Sequence, residues 1–268
     1  MQLPGPGVFG PPRDRAEALR VVRRAVELGV DHIDTAQYYG PDVANEVLRE
    51  ALYPFPETLT LVSKVGAARD ATGGWLPAGR PEQLRSGVLD NLRSLGVDRL
   101  GAVNLRLLDP AHGTPEVAFD EQLDAMIAMR DEGLIEGIGL SNITEKHLWY
   151  ALERTEIACV QNPLNLLDRA GIPLLRACEH RGIAFVPFFP LGASFGANRL
   201  LGNSDLTAAA QRLGATPAQV ALAWVLALAP NTLLIPGTAS LKHLEQNLAA
   251  TTVLLDDETL AVLNAIGS

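Results

Sequence analysis

The sequence predicts an α/β fold of the (β/α)8 TIM-barrel type, with the first strand truncated or missing. Three observations predict it. Short apolar runs alternate with amphipathic helical stretches along nearly the whole chain. Seven of these runs are apolar without alternation, the pattern of parallel strands covered by helices on both faces and joined by right-handed crossovers. No paired dinucleotide-binding halves interrupt the series, so 268 residues suit a closed barrel, a fold that takes about 250 residues as one domain. The expected domain is 1–268.

Taken in order, the first twelve residues are rich in Gly and Pro. Gly5-Pro6-Gly7-Val8-Phe9-Gly10 spells the dinucleotide fingerprint, yet only Met1-Gln2-Leu3 precedes it and Pro11-Pro12 follow, so a loop is expected. Asp14 and Glu17 have the spacing of a capping box, and the helix after them turns Leu19, Val22 and Val26 to one face before Gly29 stops it. Val30 to Thr35 then reads as a strand. Pro41 to Leu52 is a helix and Thr60 to Lys64 a strand. Pro81 opens a helix with Leu84, Val88, Leu92 and Leu95 inward; Gly96 ends it, and a strand follows through Leu107. Helices near 118–132, 144–156 and 169–181 alternate with strands at 136–141, 158–162 and 184–189. The helix Pro217 to Leu228 precedes a last strand, Leu233 to Pro236, and Asp256 to Ile266 closes the chain as a helix. Leu108 to Phe119 and Leu191 to Ser204 read as long loops, which in a barrel lie over the C-terminal face where active sites are built.

The composition narrows the function. A net charge of −9 argues against sequence-independent binding to nucleic acid, which needs a basic footprint. The apolar run from Val220 to Ala229 is too short to span a bilayer, no signal peptide opens the chain, and no basic amphipathic segment suggests attachment to a membrane. Cys159 and Cys178 fall in apolar runs with no metal or redox spacing, as buried thiols in a reducing compartment would. No His, Cys and carboxylate cluster has metal-ligand spacing. A cytoplasmic enzyme, monomeric or weakly oligomeric, acting on a small molecule is the expectation.

Charged residues end three successive apolar runs: Asp34, Lys64 and Arg106. Neighbouring strands lie about 4.8 Å apart, so the three groups meet at one mouth. An ion-pair network closing the barrel would explain them structurally. Chemistry explains them as tuning: a cation held beside a phenol favours the phenolate and lowers a tyrosine pKa from about 10, making it a competent acid near neutrality. Lys64, fixed by Asp34, can act in this way on Tyr39 or on Tyr38, and the residues alone do not choose. His32 shares the face of Asp34 and reads as packing. His112 lies on a loop over the mouth, and His147 and His180 on helix surfaces.

Six segments together resemble the aldo-keto reductases: Asp34-Thr35-Ala36 with Tyr39-Gly40, Val62-Ser63-Lys64, Gly137 to Asn142, Val160-Gln161-Asn162, Pro190-Leu191-Gly192, and Ile235 to Thr238 with Asn247. The likeness runs over nearly the whole chain. It implies a (β/α)8 barrel that binds NADPH without a Rossmann domain, with hydride passing to a carbonyl carbon and a tyrosine protonating the oxygen. Its register selects Tyr39 as that acid, with Asp34 and Lys64 as partners. It implies that Ser141, Asn142 and Gln161 hold the nicotinamide carboxamide and that Phe188 stacks on the ring. Leu191 and Gly192 would lie along the pyrophosphate. Gly237 and Thr238 would open a helix toward a phosphate, with Lys242, His243, Gln246 and Asn247 nearby. A competing reading makes Asn142 a helix N-cap.

Three departures stand out. Arg106 occupies the slot in which the family carries His; it is permanently charged and can donate hydrogen bonds to a substrate carbonyl. Phe188 replaces a tyrosine; apart from these departures, His243 falls where many members carry Arg, which bears on the choice of NADPH over NADH. The chain also begins where members finish their first strand, which suggests a late start codon or a truncation. The spelling is closest to bacterial members resembling pyridoxal reductase, which implies reduction of pyridoxal to pyridoxine. Two alternatives are a catalytically weak NADPH-binding regulatory or interaction subunit and a Schiff-base lyase using Lys64; Asp34 and Tyr39 would keep Lys64 charged, which argues against the lyase.

Overall fold

A computed structural model describes residues 2–108, 117–192 and 197–267. The chain divides into two compact units, 1–160 with 237–241 and 161–236 with 242–268.

The first unit alternates as the sequence expects. Helix α1 (Arg15–Glu27) leads to strand β1 (His32–Asp34), α2 (Val43–Leu52) to β2 (Thr60–Arg69), and α3 (Pro81–Leu95) to β4 (Leu100–Arg106). Helix α4 (Phe119–Asp131) leads to β5 (Ile135–Ser141), and α5 (Glu145–Leu152) to β6 (Cys159–Gln161). The strands stand in the order β1-β2-β4-β5-β6. The pairings of β1 with β2, β2 with β4 and β4 with β5 are parallel, as helical crossovers require. Helix α3 shows why the local reading works. Pro81 sits in its first turn, Leu84, Val88, Leu92 and Leu95 are buried, and Gly96 ends it with φ 76°, a left-handed conformation that a side chain would resist. The Asp14 cap of α1 forms, its carboxylate accepting the Glu17 N–H at 2.9 Å. The reciprocal half of the expected box does not: Glu17 turns to Arg20 and accepts the Leu241 N–H at 3.3 Å.

Strand β2 departs most from expectation. It runs past Lys64 to Arg69 and folds back on the short antiparallel strand β3 (Trp75–Ala78). Asp70 makes the turn, its carboxylate accepting from Thr72 N, Thr72 Oγ1 and Gly74 N at 2.7–2.8 Å, an Asx-type turn. Between His32 and residue 2, the described residues contain no strand beyond a single bridge of Phe9 to Gly40. The fingerprint-like segment is a loop around a short 3-10 turn at Pro6–Val8, and no helix opens inside it.

The second unit contains α6 (Ile172–Glu179), β7 (Ala184–Phe185), α7 (Ala197–Leu201), α8 (Ser204–Arg212), α9 (Pro217–Ala227), α10 (Leu241–Ala249, whose first residue belongs to the first unit) and α11 (Asp257–Ala265). Its core gathers Leu206, Val220, Trp224 and Leu263, all but sealed from water; truncating one such leucine to Ala costs about 2–5 kcal/mol. Two strand expectations shrink. The strand placed at 184–189 ends at Phe185, because Pro187 has no N–H to continue a ladder. The strand placed at Leu233–Pro236 reduces to a bridge of Thr232 to Phe185, with the Leu233 N–H donating to the Phe185 carbonyl at 2.9 Å. The segment Leu191–Ser204, read as a loop, carries α7. No helix among the described residues is long and apolar enough to cross a membrane.

Candidate active site

Asp34 ends β1, and Lys64 lies in the middle of β2 because the hairpin prolongs that strand. Register sets their heights: Asp34 faces Val62, Lys64 faces Asn104, and Arg106 faces Ser141. Asp34 and Lys64 form an ion pair with side chains only 2% and 4% exposed, and the ammonium also donates to the Thr35 carbonyl at 3.0 Å. Burial alone would lower the Lys64 pKa. The Asp34 carboxylate, with Tyr39 and Tyr38 beyond it, outweighs burial and holds the ammonium above its ordinary range. Lys64 is therefore a fixed cation at neutral pH.

The two tyrosines take different environments. The Lys64 ammonium lies 5.1 Å from the centroid of the Tyr39 ring, within cation–π range, and Tyr39 is half-exposed. Tyr38 is buried among Ala36, Ala67, Tyr39 and Trp75. Its hydroxyl makes no well-formed hydrogen bond. Burial pushes the Tyr38 phenol up to about 12, against the pull of the Arg106 charge. Tyr38 therefore stays neutral where an acid–base group must titrate. A raised folded-state pKa favours the folded form below pH 10, and that contribution is lost as pH rises from about 10 to 12. Replacing Tyr38 with Phe is expected to flatten the fall in the urea midpoint across that window. Near pH 7 it should change stability by no more than about 1 kcal/mol, because no good hydrogen bond is lost. A variant as alkali-sensitive as the parent would contradict this.

Arg106 is half-buried at the end of β4, its guanidinium carbon 4.7 Å from the Trp75 ring centroid. Gly66 lets the backbones of β2 and β4 approach closely here: a Cβ there would stand 2.3 Å from the Arg106 carbonyl oxygen. Asn104 is buried beneath, accepting from Cys159 Sγ at 3.4 Å. His32 has its Nε2 buried without a partner, and burial lowers its pKa, so it packs as a neutral ring. His112 lies outside the described residues.

Of the residues expected to hold a cofactor, Ser141, Asn142, Gly237 and Thr238 belong to the first unit. Gln161, Phe188, Leu191, Gly192, Lys242, His243, Gln246 and Asn247 belong to the second. Ser141 is buried. Asn142 sits just past β5 at φ 60°, and its amide donates to the Leu107 carbonyl at 2.8 Å. It is not the helix cap: Thr144 fills that position in α5, its N–H donating to His147 Nδ1 at 3.2 Å. Gln161 is buried in β6, and Phe188 is half-buried, edge-on to Phe189 with ring centroids 5.1 Å apart. The Gly192 N–H closes a turn on the Phe189 carbonyl at 2.9 Å. Lys242 and His243 are exposed in the first turn of α10, and Asn247 donates to the Pro236 carbonyl at 3.2 Å. Two neighbours of Arg106 escaped the sequence reading, Arg69 and Trp75. The signal that could have found them is the Asp70 to Gly74 turn between two strand-like runs.

A family model described as the aldo/keto reductase family matches residues 5–268. The chain is 49% identical over 267 residues to pyridoxine 4-dehydrogenase of Escherichia coli (strain K12), covering 99% of this chain and 92% of that protein. It is 37% identical to an uncharacterized oxidoreductase of Schizosaccharomyces pombe, covering 100% of this chain and 84% of the other. Among solved structures it resembles an aldo/keto reductase from Klebsiella pneumoniae in complex with NADP and acetate. That match has a TM-score of 0.78 at 30% identity and covers 93% of this chain and 84% of the other. Parallel strands flanked by helices, with a buried Asp–Lys pair beside a tyrosine, thus meet a family match over almost the full length: the chain belongs to the aldo/keto reductase family and is an oxidoreductase of (β/α)8 barrel fold.

Proposed function

We propose that this protein is an NADPH-dependent carbonyl reductase of the cytoplasm, formed by residues 1–268 as one domain, that interconverts pyridoxal and pyridoxine. The observation carrying the chemistry is the buried Lys64 ammonium, locked to Asp34 and set 5.1 Å from the Tyr39 ring centroid. The substrate reading is supported by the 49% identity to the Escherichia coli pyridoxine 4-dehydrogenase. The cofactor reading is supported by the Klebsiella pneumoniae relatives crystallised with NADP and NADPH.

The residues suit that cofactor by their chemistry. A carboxamide needs both donors and acceptors, and Ser141, Asn142 and Gln161 offer hydroxyl and amide groups that are both. Phe188 keeps an aromatic face that would stack on the nicotinamide. Leu191 and Gly192 would lie along the pyrophosphate, and Gly237, Thr238, Lys242, His243, Gln246 and Asn247 would hold the adenosine end. When bound, NADPH supplies the hydride for the carbonyl carbon. Tyr39 then gives its hydroxyl proton to the carbonyl oxygen. Lys64 stabilises the negative charge left on Tyr39, and Asp34 holds Lys64 in place and protonated. Arg106 donates hydrogen bonds to the carbonyl oxygen.

The test is loss of nicotinamide absorbance with pyridoxal and plain aldehydes, run also with pyridoxine and NADP in the oxidising direction. Turnover of pyridoxal with NADPH is expected. Tight NADPH binding with no turnover across a broad aldehyde panel would replace this reading with that of a regulatory subunit.

A further inference from the structure

The chain carries nine more negative charges than positive ones, yet one place in the first unit has cations to spare. Arg69 ends β2 and Arg106 ends β4, and both guanidinium groups lie over the Trp75 indole, 3.5 and 4.7 Å from its centroid. Neither has a carboxylate partner among the described residues. Among the described residues, Arg69 donates to the Gly73 and Gly7 carbonyls, at 2.6 and 3.1 Å. The Nε atoms of both arginines are buried without a partner. The acid next in sequence, Asp70, spends its carboxylate on its own turn, and Asp34 is taken by Lys64. Around the pair stand Ala36, Tyr38, Ala67 and Leu108, which offer no anion. Two like charges half-buried together without a counter-ion are unfavourable until an anion joins them.

We propose that Arg69 and Arg106, backed by Trp75, form a subsite for an anionic oxygen on the substrate, so that the preferred carbonyl compounds carry their own carboxylate, phenolate or phosphate. The inference rests on the reductase reading, because the subsite lies beside its acid: the Tyr38 ring stands 5.4 Å from both Tyr39 and Trp75. Planar guanidinium forks match such an oxyanion in a way an ammonium does not. Arg69 is the informative residue, since Arg106 also serves the reacting oxygen.

The experiment compares para-carboxybenzaldehyde with its neutral methyl ester, both with NADPH, in the native protein and in Arg69→Gln and Arg69→Lys. The native protein should favour the acid in kcat/KM by about tenfold or more, the scale of a hydrogen bond to a charged group. Arg69→Gln should bring that ratio close to one, mainly through KM, and Arg69→Lys should keep part of it. No preference in the native protein, or a ratio untouched by Arg69→Gln, overturns the proposal while leaving carbonyl reduction intact. If neither aldehyde turns over, the broad aldehyde panel decides the reductase reading, and calorimetric titration with benzoate decides this inference separately. A roughly tenfold weaker affinity in Arg69→Gln, partly restored in Arg69→Lys, supports it, and equal affinities overturn it.

Discussion

Tyr39→Phe is expected to lower kcat for aldehyde reduction by about a thousandfold while NADPH affinity stays within a few-fold. The size follows from the role. A positioned general acid contributes roughly a hundred- to ten-thousandfold, and phenylalanine removes the proton while keeping the ring that faces Lys64 at 5.1 Å. The ring shape is preserved, so any fall in rate reports the hydroxyl rather than packing. Tyr38→Phe is the matched control, one residue away in the same turn. Its phenol is buried and its pKa is pushed up to about 12, so its hydroxyl holds its proton too tightly to serve as the acid at neutral pH. Single-turnover measurements would separate chemistry from product release. A Tyr39→Phe enzyme within tenfold of the parent would mean that another group protonates the alkoxide.

The contrast between these two tyrosines marks where sequence reading stops. Periodicity and capping rules find the helices well: Pro81–Leu95 begins at its proline and ends before its glycine as read. They find Asp34 and Lys64 as well, because a charge that ends or interrupts an apolar run is conspicuous. Adjacent residues in a turn carry no such signal. Whether Tyr38 or Tyr39 is buried depends on the hairpin and on Trp75, which packs edge-on to Tyr38, and these are tertiary facts. Strand lengths were legible only in part. The small residues Val65 to Ala68 prolong β2, whereas Pro187 cuts short the strand that begins at Ala184. Asn142 was ambiguous for a local reason: Asn and Thr both cap helices, and only the observed bonds give that task to Thr144. Arg69 went unnoticed because it matters only once the turn at Asp70 has brought Trp75 back beneath it.

Asp34→Ala is expected to destabilise the protein by about 3–5 kcal/mol, the usual cost of removing one member of a buried ion pair. Against a total of roughly 5–15 kcal/mol, that is a large share. Lys64 is only 4% exposed, and without Asp34 its ammonium still donates to the Thr35 carbonyl at 3.0 Å, which carries no charge. Replacing both members with Leu and Met should recover most of the loss, since a well-packed apolar pair is often close to neutral against an ion pair. The pH dependence gives a sharper test, because its sign reverses. In the native protein Asp34 raises the Lys64 pKa, so this contribution is intact below the unfolded value of about 10.4 and lost only above it. In Asp34→Ala, burial loses its main opponent and is expected to lower that pKa, since neutral tyrosines offset it little below about pH 10. The unfolded state then binds more protons than the folded one at mildly alkaline pH, and stability rises with pH. The gap between variant and parent in urea midpoint should therefore narrow steadily from about pH 7 to about pH 9.5. A gap that stays constant, or a loss below about 1 kcal/mol, would mean that water reaches the Lys64 ammonium and that its charge is not held by Asp34.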